Sequence, residues 1–515
     1  MIVTFFINRM QGVFYKKRNK MKRTGIIILV LASLCTMSFS QNVDDALRYS
    51  RLFYGGTARF MSMGGAFTAL GGDISTLSQN PAGLGVFRSS ELTITPQMFH
   101  VQTTSNFNGS ASDNRYNFNL NQGGIVSNLI SREGESGLIS LNFGYSFNKT
   151  NNFFKNTLIR GVSNSSSMAD YWAGISDGIF YQDLSGSEGI AFDAWVMDTV
   201  TGTGGRSYGT VYSNYGDNPP SIYGQSVRRL ITNTGFTGEH AISIGGNDSN
   251  KFFFGATIGI NQIRFTSHTE HLESTNTTLA SGFDSFTYID HYEERGTGYN
   301  IKLGAIIKPV EYFRIGLAFH SPTWYRIYDY AYNDITSHFT DGEKYNSYND
   351  PMRFNYYLST PFRVLAGAAL QIQKFALISA DYEFVDYSTA RFRQAGDGYD
   401  YTDKNLALRN TLKPSSNFRI GGELRLNSLY LRTGYGYYGR AFKSDEQNSD
   451  LKYNSLSFGI GYRQQNVSID FAYTNYNCSE DNYLYPLESS FEPALAGIKT
   501  SKNMFTLTLG YKFGY

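Results

Sequence analysis

Gly64-Gly65-Ala66-Phe67-Thr68-Ala69-Leu70-Gly71-Gly72-Asp73-Ile74-Ser75-Thr76-Leu77-Ser78-Gln79-Asn80-Pro81-Ala82-Gly83-Leu84 is the stretch that decides how this chain is read. Small residues dominate it, glycine pairs stand at 64–65 and 71–72, and it closes on Asn-Pro-Ala-Gly. Glycine permits positive φ and close backbone approach. A residue before proline is pushed out of the helical region. The segment is therefore expected to be compact and tightly turned, neither a strand nor a long helix. Everything after Glu91 reads as strand. The expectation is an all-β chain, 91–515, closed into a barrel, with a small N-terminal hatch, 41–90, inside it.

Working outward, the strand reading rests on alternation. In 456–463, Leu456, Phe458, Ile460 and Tyr462 share one face, and Ser457, Gly459, Gly461 and Arg463 the other. In 467–474, Val467, Ile469, Phe471 and Tyr473 oppose Ser468, Asp470, Ala472 and Thr474. In 138–147, Ile139, Leu141, Phe143, Tyr145 and Phe147 oppose Leu138, Ser140, Asn142, Gly144 and Ser146. One apolar face and one small or polar face suit lipid outside and a polar or packed lumen inside. They also suit a sandwich with one wet face.

The connections separate the two. Short turns are expected at 132–136, 247–250, 309–311, 373–374, 427–428 and 464–466. Long polar stretches are expected at 104–115, 150–225, 267–285, 328–350, 391–414, 439–452 and 478–501. Short and long alternate along the whole chain. That pattern predicts about fourteen strands, an even number, as bacterial outer-membrane barrels have. The last strand, Phe505, Leu507, Leu509, Tyr511, Phe513 and Tyr515 on one face, would be an exposed apolar edge in an open sheet. In a barrel it pairs with the first strand.

Composition agrees. Aromatics make up 16% of 515 residues, with 39 Tyr, 39 Phe and 52 Gly, and the mean hydropathy is −0.32. Residues 1–40 read as a signal peptide. Met21-Lys22-Arg23 is its basic start, the apolar run is Ile26 to Phe39, and cleavage is expected after Ser40. Residues 1–20 read as an upstream extension. The first forty residues hold seven of the 45 Lys and Arg and no acid, so cleavage leaves 38 basic against 43 acidic residues. No case for nucleic-acid binding remains. Of the 2 Cys, Cys35 leaves with the signal and Cys478 is alone, so no intrachain disulfide is expected.

Asp44 and Asp45 before an apolar-periodic run predict a short helix ending at Gly55-Gly56. It leads into the glycine-rich segment. Within 150–225, Ala169 to Leu184 and Ile190 to Val200 have the mixed spacing of short amphipathic helices. This insertion reads either as a folded external cap or as a first docking surface for an apolar ligand.

The segment Gly64, Gly65, Asp73, Asn80, Pro81 and Ala82, placed between a signal peptide and the first strand, resembles the hatch of the FadL/TodX family. These are outer-membrane transporters of long-chain fatty acids and other hydrophobic molecules. The resemblance implies a fourteen-stranded barrel blocked by the hatch, and multi-pass placement in a Gram-negative outer membrane. It further implies a hydrophobic small-molecule ligand, contact with outer-membrane lipid, and outer-membrane assembly machinery during biogenesis. The insertion at 150–225 departs from the family, so the place of ligand capture does not carry over.

No catalytic residue, metal or cofactor is expected. His268 and His271, near Glu270 and Glu273, invite a metal reading, but three residues apart on a strand they point to opposite faces, and the segment is expected at a loop. No His or Tyr pair stands out as a haem ligand set. His100 and His320 near serines do not make the Ser–His pair of a barrel hydrolase, so the chain does not read as an enzyme. Two functions from different classes follow. One is passive transport of hydrophobic molecules. The other is an outer-membrane docking or secretion-associated barrel that binds exported proteins, with Ser444-Asp445-Glu446 and Glu480-Asp481 as contact loops. An apolar lumen favours the first, and a polar, filled lumen the second.

Overall fold

A computed structural model describes residues 42–132, 136–212, 222–279, 281–396, 398–485 and 494–514. The expected signal segment, its extension, and Tyr515 lie outside the described residues. Fourteen antiparallel strands close into a barrel. They are β1 (Ser90–Asn106), β2 (Ser110–Ser131), β3 (Leu138–Asn152 continuing as Lys155–Ser163), β4 (Gln225–Asp248), β5 (Phe252–Ser274), β6 (Phe283–Val310) and β7 (Phe313–His320 continuing as Trp324–Phe339). The rest are β8 (Met352–Ser359 continuing as Arg363–Ile372), β9 (Ala376–Asp386 continuing as Arg391–Gln394), β10 (Pro414–Leu426), β11 (Leu429–Tyr438), β12 (Tyr453–Gln464), β13 (Val467–Tyr483) and β14 (Leu495–Phe513). The ends meet: β14 pairs with β1, Tyr511 opposite Leu92 and Phe505 opposite Met98.

Closure pairs the strand edges around the ring, except along β2 above Gln122, as a bilayer demands because no water reaches its core. The outer surface is apolar. Ile301, Leu303, Leu317, Phe458, Ile460, Phe471 and Leu509 are exposed in the folded chain and face lipid. A closed barrel with such a belt is a multi-pass outer-membrane protein. The periplasmic turns use left-handed residues, Ser249, Asn250, Gln373, Asn427 and Gln465, as two-residue hairpins require.

Several expectations are corrected. Ile139 is buried, because the β3–β4 register slips between Leu138 and Ser140 and turns it inward. Three of the long polar stretches, 104–115, 267–285 and 328–350, are mostly strand. β1 and β2 run to Asn106 and from Ser110, leaving only residues 107–109 between them. β6 has 28 residues, whereas about 9–11 suffice to cross a bilayer. Backbone ladders continue above the lipid with polar side chains, so polarity marked the membrane's edge rather than the strand's end. His268 and His271 are accordingly on strand β5, though on opposite faces as expected. Glu480 is not a free loop acid. It faces inward and pairs with Lys155 at 2.5 Å.

Proline marks two of the strand interruptions, Pro322 in β7 and Pro361 in β8, each lacking a ladder donor. The breaks are stitched together by Thr360 N to Thr323 O (3.0 Å) and Thr323 N to the Thr360 hydroxyl (2.9 Å).

Three helices belong to the N-terminal segment: α1 (Val43–Ser50), α2 (Ala58–Ser62) and α3 (Thr76–Gln79). The insertion folds as a cap. It carries α4 (Met168–Ser176), α5 (Gly186–Asp193) and a hairpin of Met197–Thr199 with Tyr208–Thr210. Each helix overlaps an expected one only in part: the first ends at Ser176, before Leu184, and the second starts at Gly186 and ends at Asp193, sharing only four residues with Ile190 to Val200. The cap buries Trp172, Met197 and Tyr212 against Phe283, Phe286 and Tyr288 of β6. A last helix, α6 (Thr402–Thr411), lies between β9 and β10.

Candidate functional site: the hatch, its seat and a split seam

The hatch is assembled from local signals. Thr57 caps α2, its hydroxyl accepting from Phe60 N at 3.1 Å. Asp73 ties two turns together: one carboxylate oxygen accepts from Ser75 N (3.0 Å), the other from the Thr57 hydroxyl (2.8 Å). Gly64 and Gly65 both have positive φ, as do Gly71 and Gly72. The two glycine pairs are therefore the corners at which the chain reverses inside the barrel.

Asn80 is the most connected residue of the motif. Its side-chain carbonyl accepts from Ala82 N (3.1 Å), and its amide donates to Thr68 O (2.6 Å). It thus bridges two arms of the hatch while Pro81 begins a 3₁₀ turn, Pro81–Val86. A proline there loses nothing, since the first N–H of a helical turn has no partner. Asn80, Pro81 and Ala82 are all buried. Gly64, Gly65, Asp73, Asn80, Pro81 and Ala82 thus lie within one folded unit that fills the barrel.

The seat is made by the wall. At hatch height β5, β6, β7 and β11 each present a glycine inward. A Cβ on Gly255 would overlap Pro81 O, on Gly304 the Asn80 side chain, on Gly316 Thr68 O, and on Gly434 the Gly64 backbone. Wall side chains then bind the hatch backbone. Lys302 donates to Ser78 O (2.7 Å), His320 to Gln79 O (2.7 Å), Arg314 to Leu70 O (2.8 Å) and Asn142 to Leu84 O (2.8 Å). Asp381 accepts from both the backbone N (2.9 Å) and the hydroxyl (2.7 Å) of Thr68.

Buried charges complete it. Glu423 of β10 takes Arg59 of α2 at 3.2 Å, Arg425 at 2.8 Å and Arg432 at 2.7 Å. Glu383 of β9 lies between Arg363 and Arg419. Glu239 pairs with Lys302 at 2.6 Å. A buried charge without a partner costs several kcal/mol, and here each acid has at least one. These wall residues were not singled out in the sequence. Their signal was present: in 377–383 Asp381 and Glu383 share the inward face with Leu377 and Ser379, against outward Ile378 and Tyr382. An acid on a strand's inner face asks for a partner across the lumen.

Above the hatch the lumen holds an apolar cluster edged by cations: Lys502 lies 5.1 Å from the Phe99 ring centroid and Arg115 5.2 Å from that of Phe154. Phe99, Val101, Tyr54 and Met504 cluster with the hatch residues Phe60 and Phe67, and Leu52 and Phe154 pack against them. Beside this cluster the wall is split. β2 pairs with β3 only from Gln122 opposite Asn148 down to Ser131. Above Gln122, β2 keeps β1 alone as its partner, while β3 turns inward and stays with β4. The continuation of β3 passes behind the β1–β2 hairpin, where the Thr103 and Ser105 hydroxyls donate to Asn156 O and Leu158 O. Tyr116, Phe118 and Leu120 face lipid at the split. Asn119 faces in, and neither polar atom of its amide has a hydrogen-bond partner among the described residues.

Other candidate chemistry is placed elsewhere. Among the described residues no group of three or more His, Cys, Asp or Glu could hold a metal ion. His271 bonds Glu273 at 2.9 Å in the cap floor, while His268 meets His291 at 3.4 Å. Cys478 is a free thiol.

No protein-family model matches the chain, and no curated protein matches it in sequence. Solved structures do match its fold. The P. putida toluene transporter TodX is 12% identical with a TM-score of 0.50, over 90% of this chain and 99% of that one. A Pseudomonas aeruginosa FadL homologue is 12% identical with a TM-score of 0.52, over 90% of this chain and 100% of that one. The chain therefore has the fold of these FadL- and TodX-type barrels along nearly its whole length.

Proposed function

We propose that this barrel is a passive outer-membrane route for hydrophobic molecules, long-chain fatty acids among them, and that it is not an enzyme. The carrying observation is the split between β2 and β3, which opens beside the apolar cluster and above an intact hatch. An acyl chain entering that cluster gains roughly 0.8 kcal/mol per buried CH₂, so capture needs no energy source. Passage through the hatch would break many hydrogen bonds, each worth about 0.5–1.5 kcal/mol net and more where charged. Leaving sideways at Asn119 breaks none of them. In this reading Gly64, Gly65, Asp73, Asn80, Pro81 and Ala82 hold a floor that directs the ligand to the wall. The fold likeness to a toluene transporter and a FadL homologue supports the same reading.

A second reading, a docking barrel for exported proteins, is favoured by one observation: at hatch height the lumen is filled and polar. Uptake separates the two. Liposomes carrying the barrel should take up a fluorescent long-chain fatty acid, and Asn119→Trp, which fills the split, should cut that uptake at least fivefold with heat-resistant migration unchanged. Equal uptake in both proteins refutes sideways release. No uptake by the natural protein transfers the case to docking.

A further inference from the structure

The outer face of β12, β13, β14 and β1 can be read in rows, because their registers place side chains directly opposite one another. One row is Phe458, Tyr473, Phe505 and Met98, inside the lipid belt. Two residues higher the row turns polar: Tyr473 donates to Asn503 at 2.7 Å, and Asn475 donates to the same oxygen at 2.9 Å. Two residues higher again come Asn454, Asn477, Ser501 and Gln102, and above them Ser479, Lys499 and Thr104, with Lys452 alongside. At about 3.3 Å per residue and a tilt near 40°, the Asn477 row stands about 10 Å above the aromatic row. That is headgroup height on the external side.

These upper rows line a groove of about 400 Å³. The one acid in its lining, Asp450, lies before β12 begins and pairs with Arg440 at 2.8 Å. The side chains of Gln102, Ser479, Lys452 and Lys499 have no hydrogen-bond or ion-pair partner among the described residues. The groove therefore offers two free ammonium groups, an amide and a hydroxyl, directly over a column of lipid-facing apolar side chains. Basic pockets at the membrane surface bind anionic headgroups in this way.

We propose that this groove binds the phosphorylated saccharide headgroup of an outer-leaflet lipid. Lys452 and Lys499 take the phosphate, and Gln102 and Ser479 take sugar hydroxyls. The acyl chains run down past Phe505, Phe458 and Met98. A soluble sugar phosphate would match the lysines but leave the apolar column unused. The site is on the wall opposite to the lumen, so it stands independently of what the lumen carries.

The test uses the full mature chain in detergent, titrated with lipid A and followed by native mass spectrometry. Lys452→Gln with Lys499→Gln should weaken lipid A binding at least tenfold. Lys344→Gln, a charge control on the hairpin above β7, should leave it unchanged. Dephosphorylated lipid A should bind the natural protein at least tenfold more weakly, a comparison that needs no variant to assemble. Glucosamine 1-phosphate should fail to compete. Equal binding by the double variant, equal binding of the dephosphorylated lipid, or competition by glucosamine 1-phosphate at lipid A's own concentration overturns the proposal.

Discussion

The hatch and the cap are both small folded pieces attached to the same barrel, yet the balance of their contacts differs. Each has a share of the other's kind: Leu77 and Leu84 of the hatch also pack against Val126, and the Ser167 hydroxyl of the cap also donates to Glu273 at 2.6 Å. The hatch meets its wall through polar contacts and close backbone approach: Lys302 to Ser78 O, Asp381 to Thr68, Arg59 to Glu423. The cap meets β6 through aromatic burial, with Trp172 5.6 Å from Phe286 and 5.2 Å from Tyr288 between ring centroids. Hydrogen bonds fix geometry sharply but are replaceable by water at small net cost. Apolar burial is non-directional, and lost contact is not replaced by water. The hatch is thus placed in one position by many directional contacts, whereas the cap is held shut by its buried surface.

Four changes break or sharpen that contrast, in falling order of effect. The largest comes from filling the seat. Gly304→Val with Gly434→Val puts side chains where Asn80 and the Gly64 backbone lie, so the hatch must leave its position. The barrel ladder should persist as heat-resistant migration, while planar-bilayer conductance rises at least tenfold. Unchanged conductance would mean that the hatch tolerates the intrusion and is less rigidly placed than its contacts say.

Next is Trp172→Ala in the cap. Emptying a site this large costs about 3–5 kcal/mol, and protease sensitivity of residues 164–212 should rise sharply with conductance unaltered. If conductance rises as well, the two regions are coupled and the contrast fails.

A smaller effect is expected from Asn80→Ala with Pro81→Ala. It removes the bridge from Ala82 N to Thr68 O and frees φ, costing about 1–2 kcal/mol of local order. Uptake of a hydrophobic probe should change while barrel assembly does not. Unchanged uptake reduces the motif to packing, and failed assembly makes the hatch a folding element.

The smallest effect is one of pH. Burial in the cap pushes the Asp170 carboxyl up to about 6, against the donors Tyr223, Ser167 N and Thr210 that lower it. A raised carboxyl binds its proton more tightly folded than unfolded. The cap is therefore penalised above pH 6 and gains stability as pH falls through 6 toward the ordinary value of 3.8. Amide exchange in α4 should be slower, relative to intrinsic rates, at pH 5 than at pH 7.5, and Asp170→Asn should flatten the difference. A persisting difference in that variant assigns the titration elsewhere.

Barrel closure was legible because it is written in period two and in alternating connections. The strand Leu456 to Tyr462 shows its lipid face without help from any neighbour. Asn80-Pro81-Ala82 was legible because proline and glycine act on their own backbone. What failed to show were features decided by a partner. The inward turn of Ile139 depends on a register slip against β4. The strands hidden in 267–285 and 328–350 depend on ladders that continue past the membrane, where polarity no longer separates strand from loop.

The sequence by itself determined that this chain makes a closed, lipid-facing barrel with a turned, glycine-cornered segment ahead of it. Those properties follow from local steric rules and from which side chains tolerate hydrocarbon. Only the tertiary structure decided what the inner faces do. Thr68 meets Asp381 and Arg59 meets Glu423 across more than three hundred residues of chain. The glycines of β5, β6, β7 and β11 become a seat only when closure brings them level. No local rule carries that information, because lumen contacts are set by register and shear around the whole ring.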